Sequence, residues 1–406
     1  MEQIMKYVVV LGDGMADYPV DSLSGKTPLE VAHKPFTDTL ANLSEVGLVR
    51  TIAAGLKPGS DVANLSVLGY DPKECYTGRS PLEAASIGIP LKDTDVTARA
   101  NLVTLSGEGE YEALTMEDYS AGEISTEEAK ILIGFLKKEL DTDENKLYAG
   151  ISYRHCFVAD RGKIAGDLTP PHDITGKPIK EYLPHSEAGR AYLSLMKRSY
   201  ELLKNHPVNA ARVKSGKRPA NSLWFWGEGT KPALQNFTER YGVKGAMISA
   251  VDLLKGIGKL AGMEVIEVEG ATGNYDTDFS GKAEAALAAL KNGADFVYIH
   301  IEAPDECGHH GDVEHKIYSI EQIDEKVVRR VVEGLREFGE PFSVMVLPDH
   351  PTPIKTMTHC SDPVPYLIYR SNEPVIGTAK YDEAHAAASG KFVQSGVDLM
   401  KRFLDK

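Results

Sequence analysis

Runs of consecutive apolar residues, rich in valine and isoleucine, alternate along this chain with longer stretches in which apolar side chains recur every three or four positions. The first kind predicts strands buried on both faces, the second helices lying across them. From residue 5 to about 89 the order is a strand at 7–11, a glycine loop, an amphipathic helix at 35–45, a short strand at 48–52, then a loop and a helix at 60–68. The alternation resumes near residue 222, with strands at 223–226, 263–267, 295–302, 342–347 and 365–369 and helices that include 281–291 and 317–334. Such alternation predicts an α/β fold with a mostly parallel sheet covered by helices on both faces.

Between these regions the pattern changes to strand pairs, 97–105 with 111–115 and then 147–159, followed by a proline and glycine loop at 166–177 and a long helix at 186–204. This predicts a smaller α+β domain, residues 90–218, inserted into a discontinuous larger one, residues 1–89 and 219–406. The edges Ile89-Pro90-Leu91 and Ser215-Gly216-Lys217-Arg218-Pro219 have linker-like composition.

Hard oxygen and imidazole ligands stand just beyond two of the buried strands: Ala303-Pro304-Asp305-Glu306-Cys307-Gly308-His309-His310 after one, and Asp349-His350, then His359, after the other. Ligands in α/β folds bind outside the carboxyl ends of the strands, so Asp and His arriving there from separate segments point to a metal centre. The strand at 7–11 also ends in a carboxylate, within Gly12-Asp13-Gly14-Met15, although a lone Asp between glycines is ordinarily a solvated turn. As a dinucleotide fingerprint that segment is weak, since Asp17 stands where the last small residue belongs. In Lys57-Pro58-Gly59-Ser60-Asp61 a break precedes a helix. Ser60 and Asp61 there either cap the helix or place a nucleophilic serine at its positive end, where a phosphoryl group would be stabilised.

The 406 residues carry a formal net charge of −14, which argues against nucleic acid or an anionic membrane as the main partner. A small anionic substrate remains compatible if bound cations and a local Lys/Arg cluster reverse the field in the cleft. Cys75, Cys156, Cys307 and Cys360 are too scattered for a disulfide framework and fit a reducing cytoplasm. No segment approaches the roughly 20 apolar residues needed to span a bilayer. The start also lacks a signal peptide's basic region and long apolar run, so the expectation is a soluble, untargeted protein.

Taken in order, Gly12-Asp13-Gly14-Met15, Gly59-Ser60-Asp61, Gly78-Arg79-Ser80-Pro81-Leu82-Glu83-Ala84, Pro304-Asp305 with Gly308-His309, Asp349-His350 and His359 resemble the archaeal-type cofactor-independent phosphoglycerate mutases of the alkaline phosphatase superfamily. The resemblance spans the chain from Met5 onward and implies an alkaline-phosphatase-like sheet. It makes Ser60 the transiently phosphorylated residue, with one divalent metal on Asp13, Ser60, Asp349 and His350 and another on Asp305, His309 and His359. Manganese is the leading choice, and cobalt, zinc and magnesium suit the same donors. The implied reaction interconverts 2-phosphoglycerate and 3-phosphoglycerate through a phosphoserine, without 2,3-bisphosphoglycerate. It requires the inserted domain to exclude water as a lid. Candidate substrate ligands there are Arg99, Arg154, His155, Asp167, His172 and Asp173; the arginines suit a carboxylate, and His155 would shuttle a proton between glycerate hydroxyls.

Rival readings on the same scaffold are a homoserine kinase-like phosphotransferase and a metal-dependent phosphate-ester hydrolase; from another class, a metal-stabilised binding protein. The better-known bacterial mutases carry a lysine between the metals, for which Lys282 is the one candidate. His310, Asp312 and His315 are left as supporting or solvated residues. Trp224-Phe225-Trp226 reads as a buried strand, and Gly256-Ile257-Gly258-Lys259 lacks phosphate-loop spacing.

Overall fold

The computed structural model describes residues 5–405. Its strands, in chain order, are β1 (Lys6–Gly12), β2 (Glu45–Val49), β3 (Asp95–Ser106), β4 (Thr115–Asp118), β5 (Asn145–Tyr148), β6 (Arg154–Asp160), β7 (Ser222–Thr230), β8 (Gly245–Ile248), β9 (Glu264–Ile266), β10 (Phe296–Ile301), β11 (Phe342–Leu347), β12 (Val364–Arg370) and β13 (Phe392–Val393). The chain divides into two compact units, Met1–Tyr76 with Ala233–Lys406, and Thr77–Pro232.

The first unit holds an eight-stranded mixed sheet in the order β13-β2-β12-β11-β1-β10-β8-β9. Its centre is parallel, β1 lying between β10 and β11; only β12 runs against its neighbours β11 and β2. The central strands are buried along both faces, as continuous apolar runs require. Val8 and Val10 enter a core with Ala283, Ala286 and Leu290 of the helix Phe279–Lys291. On the opposite face Tyr7 meets Phe403 of the helix Gly396–Phe403 edge to face, ring centroids 5.5 Å apart. Each wholly buried valine of β1 contributes about 1.5–3 kcal/mol of transfer free energy, so a charge at residues 8–10 would be far more damaging than one at a sheet edge.

Two predicted elements shift. The helix expected at 35–45 stops at Ala41, and the strand expected at 48–52 is already running at Glu45. Pairing of β2 with β12 buries Val46 and Val49, and this long-range gain overrides helical periodicity. The helix expected at 317–334 runs as Val313–Gln322, a π-helical stretch Ile323–Val328 and Arg329–Phe338. Ile320, Ile323, Val327, Val331 and Leu335 all reach the core through it.

The second unit is built on a five-stranded antiparallel sheet, β4-β3-β6-β5 with β7 paired to β3. The strand at 223–226, read from sequence as part of the large sheet, is β7 and belongs here. An apolar run states that it is buried but not in which sheet; Leu223 and Phe225 pack with Ala98, Ala100 and Phe157. Trp224 is wholly buried, its indole N–H donating to the Thr169 carbonyl at 2.8 Å.

Candidate metal centre

Strand register brings the predicted ligands together. Leu11 pairs with Leu347 and Gly12 with Ile301, so three neighbouring parallel strands end level, and the residues that follow them, Asp13, Asp349 and Asp305, emerge side by side. All three carboxylates are buried, with exposures of 1%, 0% and 4%. Gly14 turns with φ +60°, and a Cβ there would lie 2.6 Å from both Asp305 Oδ1 and Thr352 Oγ1, so the turn that carries Asp13 has room only for glycine.

The donors fall into two overlapping sets, Asp305 with His309 and His359, and Asp13 with Asp305 and His350, each with ligand atoms within 4.8 Å of one another. In the first set His309 Nε2 is 2.8 Å from His359 Nε2 and 3.3 Å from Asp305 Oδ2. His309 Nδ1 faces the Met357 carbonyl at 3.0 Å, so a proton belongs there, and with a cation present the Nε2 lone pair would be available to ligate it. In the second, His350 Nε2 lies 3.5 Å from Asp13 Oδ1, 3.4 Å from Asp349 Oδ2 and 3.2 Å from Ser60 Oγ.

Ser60 is the first residue of the helix Ser60–Val67, and the N-cap position before it is Gly59, which has no side chain to cap the helix. The Ser60 hydroxyl is directed at His350. Asp61 accepts the next backbone N–H, Val62, at 2.8 Å, and the Tyr76 hydroxyl at 2.5 Å, so the two residues of this helix start are divided between local structure and the ligand cluster.

Electrostatics point the same way. Burial, then the neighbouring Asp349 and Asp305, push the Asp13 carboxyl well above the usual range. Burial also raises Asp305, but hydrogen bonds from His309 and His359 outweigh it and hold that carboxyl well below its ordinary value. The bond to Asp305 lifts His309 to about 9, whereas burial lowers His350. Three buried carboxylates this close cannot all ionise without compensating positive charge. One oxygen, Asp13 Oδ1, is buried without a hydrogen-bond partner. A divalent cation would satisfy both demands, and carboxylate, imidazole and hydroxyl donors suit one.

Sequence reasoning missed a layer behind these ligands. Asn64 donates to Asp349 Oδ2 and to the Ser60 carbonyl, each at 2.8 Å, and accepts from the Tyr298 hydroxyl at 2.6 Å. Thr352 donates to Asp305 Oδ1 and lies 3.2 Å from His350 Nδ1. His300, buried in β10, contacts Asp13. The available signal was a tyrosine and a histidine inside an otherwise apolar strand. Lys282 is wholly buried, donates to the His300 carbonyl at 3.2 Å and is lowered to about 8 by burial. Asp312 caps the helix Val313–Gln322 and holds the His315 ring at 2.6 Å. His310 is the C-cap of the helix Ala303–His309.

The proposed substrate residues all lie in the second unit. Arg99 stacks 4.1 Å from the Trp226 ring centroid, and its Nε donates to Glu83 Oε2 at 2.9 Å; the other oxygen of Glu83 accepts from Arg79, also at 2.9 Å. Arg154 is exposed beside Tyr153, whose hydroxyl accepts its N–H at 3.0 Å. Successive strand residues face opposite ways, so His155 points away from Arg154. His155 is buried, Nδ1 accepts from the Gly150 N–H at 3.1 Å, Nε2 is unpartnered, and burial lowers the ring to about 3. Asp167 accepts from the backbone of His185 and Ser186, and His172 packs edge-on against Trp226 with Asp173 at 3.6 Å.

Residues 41–209 match the family model for 2,3-bisphosphoglycerate-independent phosphoglycerate mutase. The protein of that name from Methanothrix thermoacetophila is 50% identical over 399 residues, 98% of this chain and 99% of the relative. Among solved structures, a protein of Pyrococcus horikoshii matches with TM-score 0.81 at 31% identity, covering 99% of this chain and 98% of that one. A cofactor-independent phosphoglycerate mutase from Thermoplasma acidophilum matches with TM-score 0.67 at 26% identity over 99% of both chains.

Proposed function

Because the chain belongs to the 2,3-bisphosphoglycerate-independent phosphoglycerate mutase family, we propose that it interconverts 2-phosphoglycerate and 3-phosphoglycerate through a phosphorylated Ser60. The observation that supports this reading is the Ser60 hydroxyl at the start of its helix, 3.2 Å from His350 Nε2 and beside a cluster of buried carboxylates. Asp13, Ser60, Asp349 and His350 would hold one divalent cation, manganese in the first place, and Asp305, His309 and His359 a second. Bound there, the cations neutralise phosphoryl oxygens and lower the pKa of the serine hydroxyl.

The phosphorus passes from one glycerate oxygen to Ser60 Oγ. The bond to the glycerate breaks as the bond to Oγ forms, the serine proton leaves, and the freed glycerate oxygen takes up a proton. After the glycerate turns, the reverse transfer delivers the phosphoryl group to its other hydroxyl and restores the serine. Backbone N–H groups at the start of the helix Ser60–Val67 favour the phosphorylated side chain. Arg99, its guanidinium fixed by Glu83 and Trp226, and Arg154 are suited to the glycerate carboxylate.

Purified protein given Mn²⁺ and 3-phosphoglycerate, without nucleotide or 2,3-bisphosphoglycerate, should form 2-phosphoglycerate, and rapid quench should trap phosphate on Ser60. Ser60→Ala should stay folded with turnover reduced by at least ~10³-fold, as expected for loss of a nucleophile. Wild-type turnover in that variant, or ATP-dependent phosphorylation of homoserine without isomerisation, would overturn the assignment.

A further inference from the structure

Behind Asp13 a line of single hydrogen bonds crosses three neighbouring strands of the sheet. The Val251 N–H donates to Ser249 Oγ at 3.0 Å, just past the end of β8. Because that oxygen is already accepting, the serine's own hydrogen is available for His300 Nδ1, 3.1 Å away on β10. Accepting at Nδ1 puts the ring proton of a neutral histidine on Nε2, which is 2.8 Å from Asp13 Oδ2. The opposite tautomer would set an unprotonated nitrogen against a carboxylate oxygen. His300 is wholly buried, so its orientation is not free to relax into solvent. With Oδ2 held this way, Asp13 Oδ1 remains the buried oxygen without a hydrogen-bond partner, 3.5 Å from His350 Nε2.

We propose that His300, set by Ser249, is a positioning residue that fixes one oxygen of Asp13 so that the other is presented to the cation shared with His350. The inference rests on the two-cation reading above. It assigns a role in metal affinity to a residue outside both donor sets, in a strand whose sequence otherwise reads as core. An orienting partner of a metal ligand typically changes metal affinity by about 10–100-fold.

Equilibrium titration of the purified full-length chain with Mn²⁺, by calorimetry and by the electron paramagnetic resonance signal of free Mn²⁺, tests it. Wild type should bind two ions. His300→Leu should weaken one of them by ~10–100-fold and leave the other at wild-type affinity, with mutase activity recovering as Mn²⁺ is raised. His300→Gln, whose amide can reach Asp13 as a donor, should restore most of the lost affinity, and Ser249→Ala should shift the same ion by a smaller factor. Where His300→Leu fails to fold, the Gln and Ser249 variants carry the comparison. Two ions bound at wild-type affinity in both His300→Leu and Ser249→Ala, or a Gln variant no better than Leu, would overturn the role of His300 while leaving the two-cation reading intact. A wild-type chain that binds no Mn²⁺ would remove both.

Discussion

Glu383 shows what a single half-buried glutamate does to the whole stability curve. Its oxygens accept from the Asp17 N–H at 3.1 Å and the Thr27 hydroxyl at 2.7 Å, yet burial still raises it to about 7. An unfolded glutamate titrates at about 4.3, so the folded state holds this proton more tightly. The stabilisation it brings is complete below the unfolded value and is lost as pH rises through the folded one. Glu383→Gln keeps the neutral form at every pH. Urea unfolding of the two proteins should therefore show the variant gaining about 1–3 kcal/mol relative to wild type between pH 5 and 8. A difference that stays constant across that range would remove the argument. Nearby, Lys316 is wholly buried because Asp17 pairs with it at 2.7 Å and the Thr352 carbonyl accepts at 2.9 Å, which ties the Asp13 turn to the His350 loop.

Among the elements, the π-helical stretch Ile323–Val328 does more than satisfy its own packing. It places Asp324 inside, where the carboxylate accepts the N–H groups of Thr37 at 2.6 Å and Phe36 at 3.3 Å. These are the first N–H groups of the helix Pro35–Ala41, whose own N-cap residue, Lys34, supplies no side-chain cap. A distant residue thus performs the capping that local sequence omitted. Asp324→Ala should lower unfolding free energy by about 1–2 kcal/mol, the usual range for a lost cap, while the Mn²⁺-dependent turnover persists. An unchanged denaturation midpoint would show that water or another group caps the helix equally well.

For the molecule as a whole, the ligand cluster is a local concentration of negative charge in a chain already at −14. The first unit folds around Asp13, Asp305 and Asp349, so cations that bind only the folded state should stabilise it by mass action. Chelation followed by Mn²⁺ at about 100 times its Kd should raise the unfolding free energy by about 2.7 kcal/mol per site, read as a concentration-dependent increase in Tm. A variant with Asp305 and His309 both replaced by alanine should lose the increment of one site and keep that of the other, so that an undiminished increase would remove those two residues from the ligand set. Among the described residues no helix is long and apolar enough to cross a membrane.

The amino-acid sequence by itself determined the features that depend on neighbours a few positions away. Continuous apolar runs at 7–11 and 342–347 specified doubly buried strands, and Asp305, Asp349 and His350 stood out as candidate ligands because each follows such a run, whereas Asp13 joined them only through the resemblance. Tertiary structure decided whatever depends on which buried surface meets which. An apolar run has no label for its sheet, so β7 could be read as a strand but not as a partner of β3, and the reversal of β12 was equally silent. Arg154 and His155 are adjacent in sequence, yet the pleat of β6 turns them to opposite faces of the sheet, one exposed and one buried. His300, Asn64 and Thr352 looked like ordinary residues of a strand, a helix and a loop. Their meaning is the unsatisfied oxygen or nitrogen each one meets across the sheet, and hydrogen-bond satisfaction in a buried site is a property of assembled chains rather than of any segment.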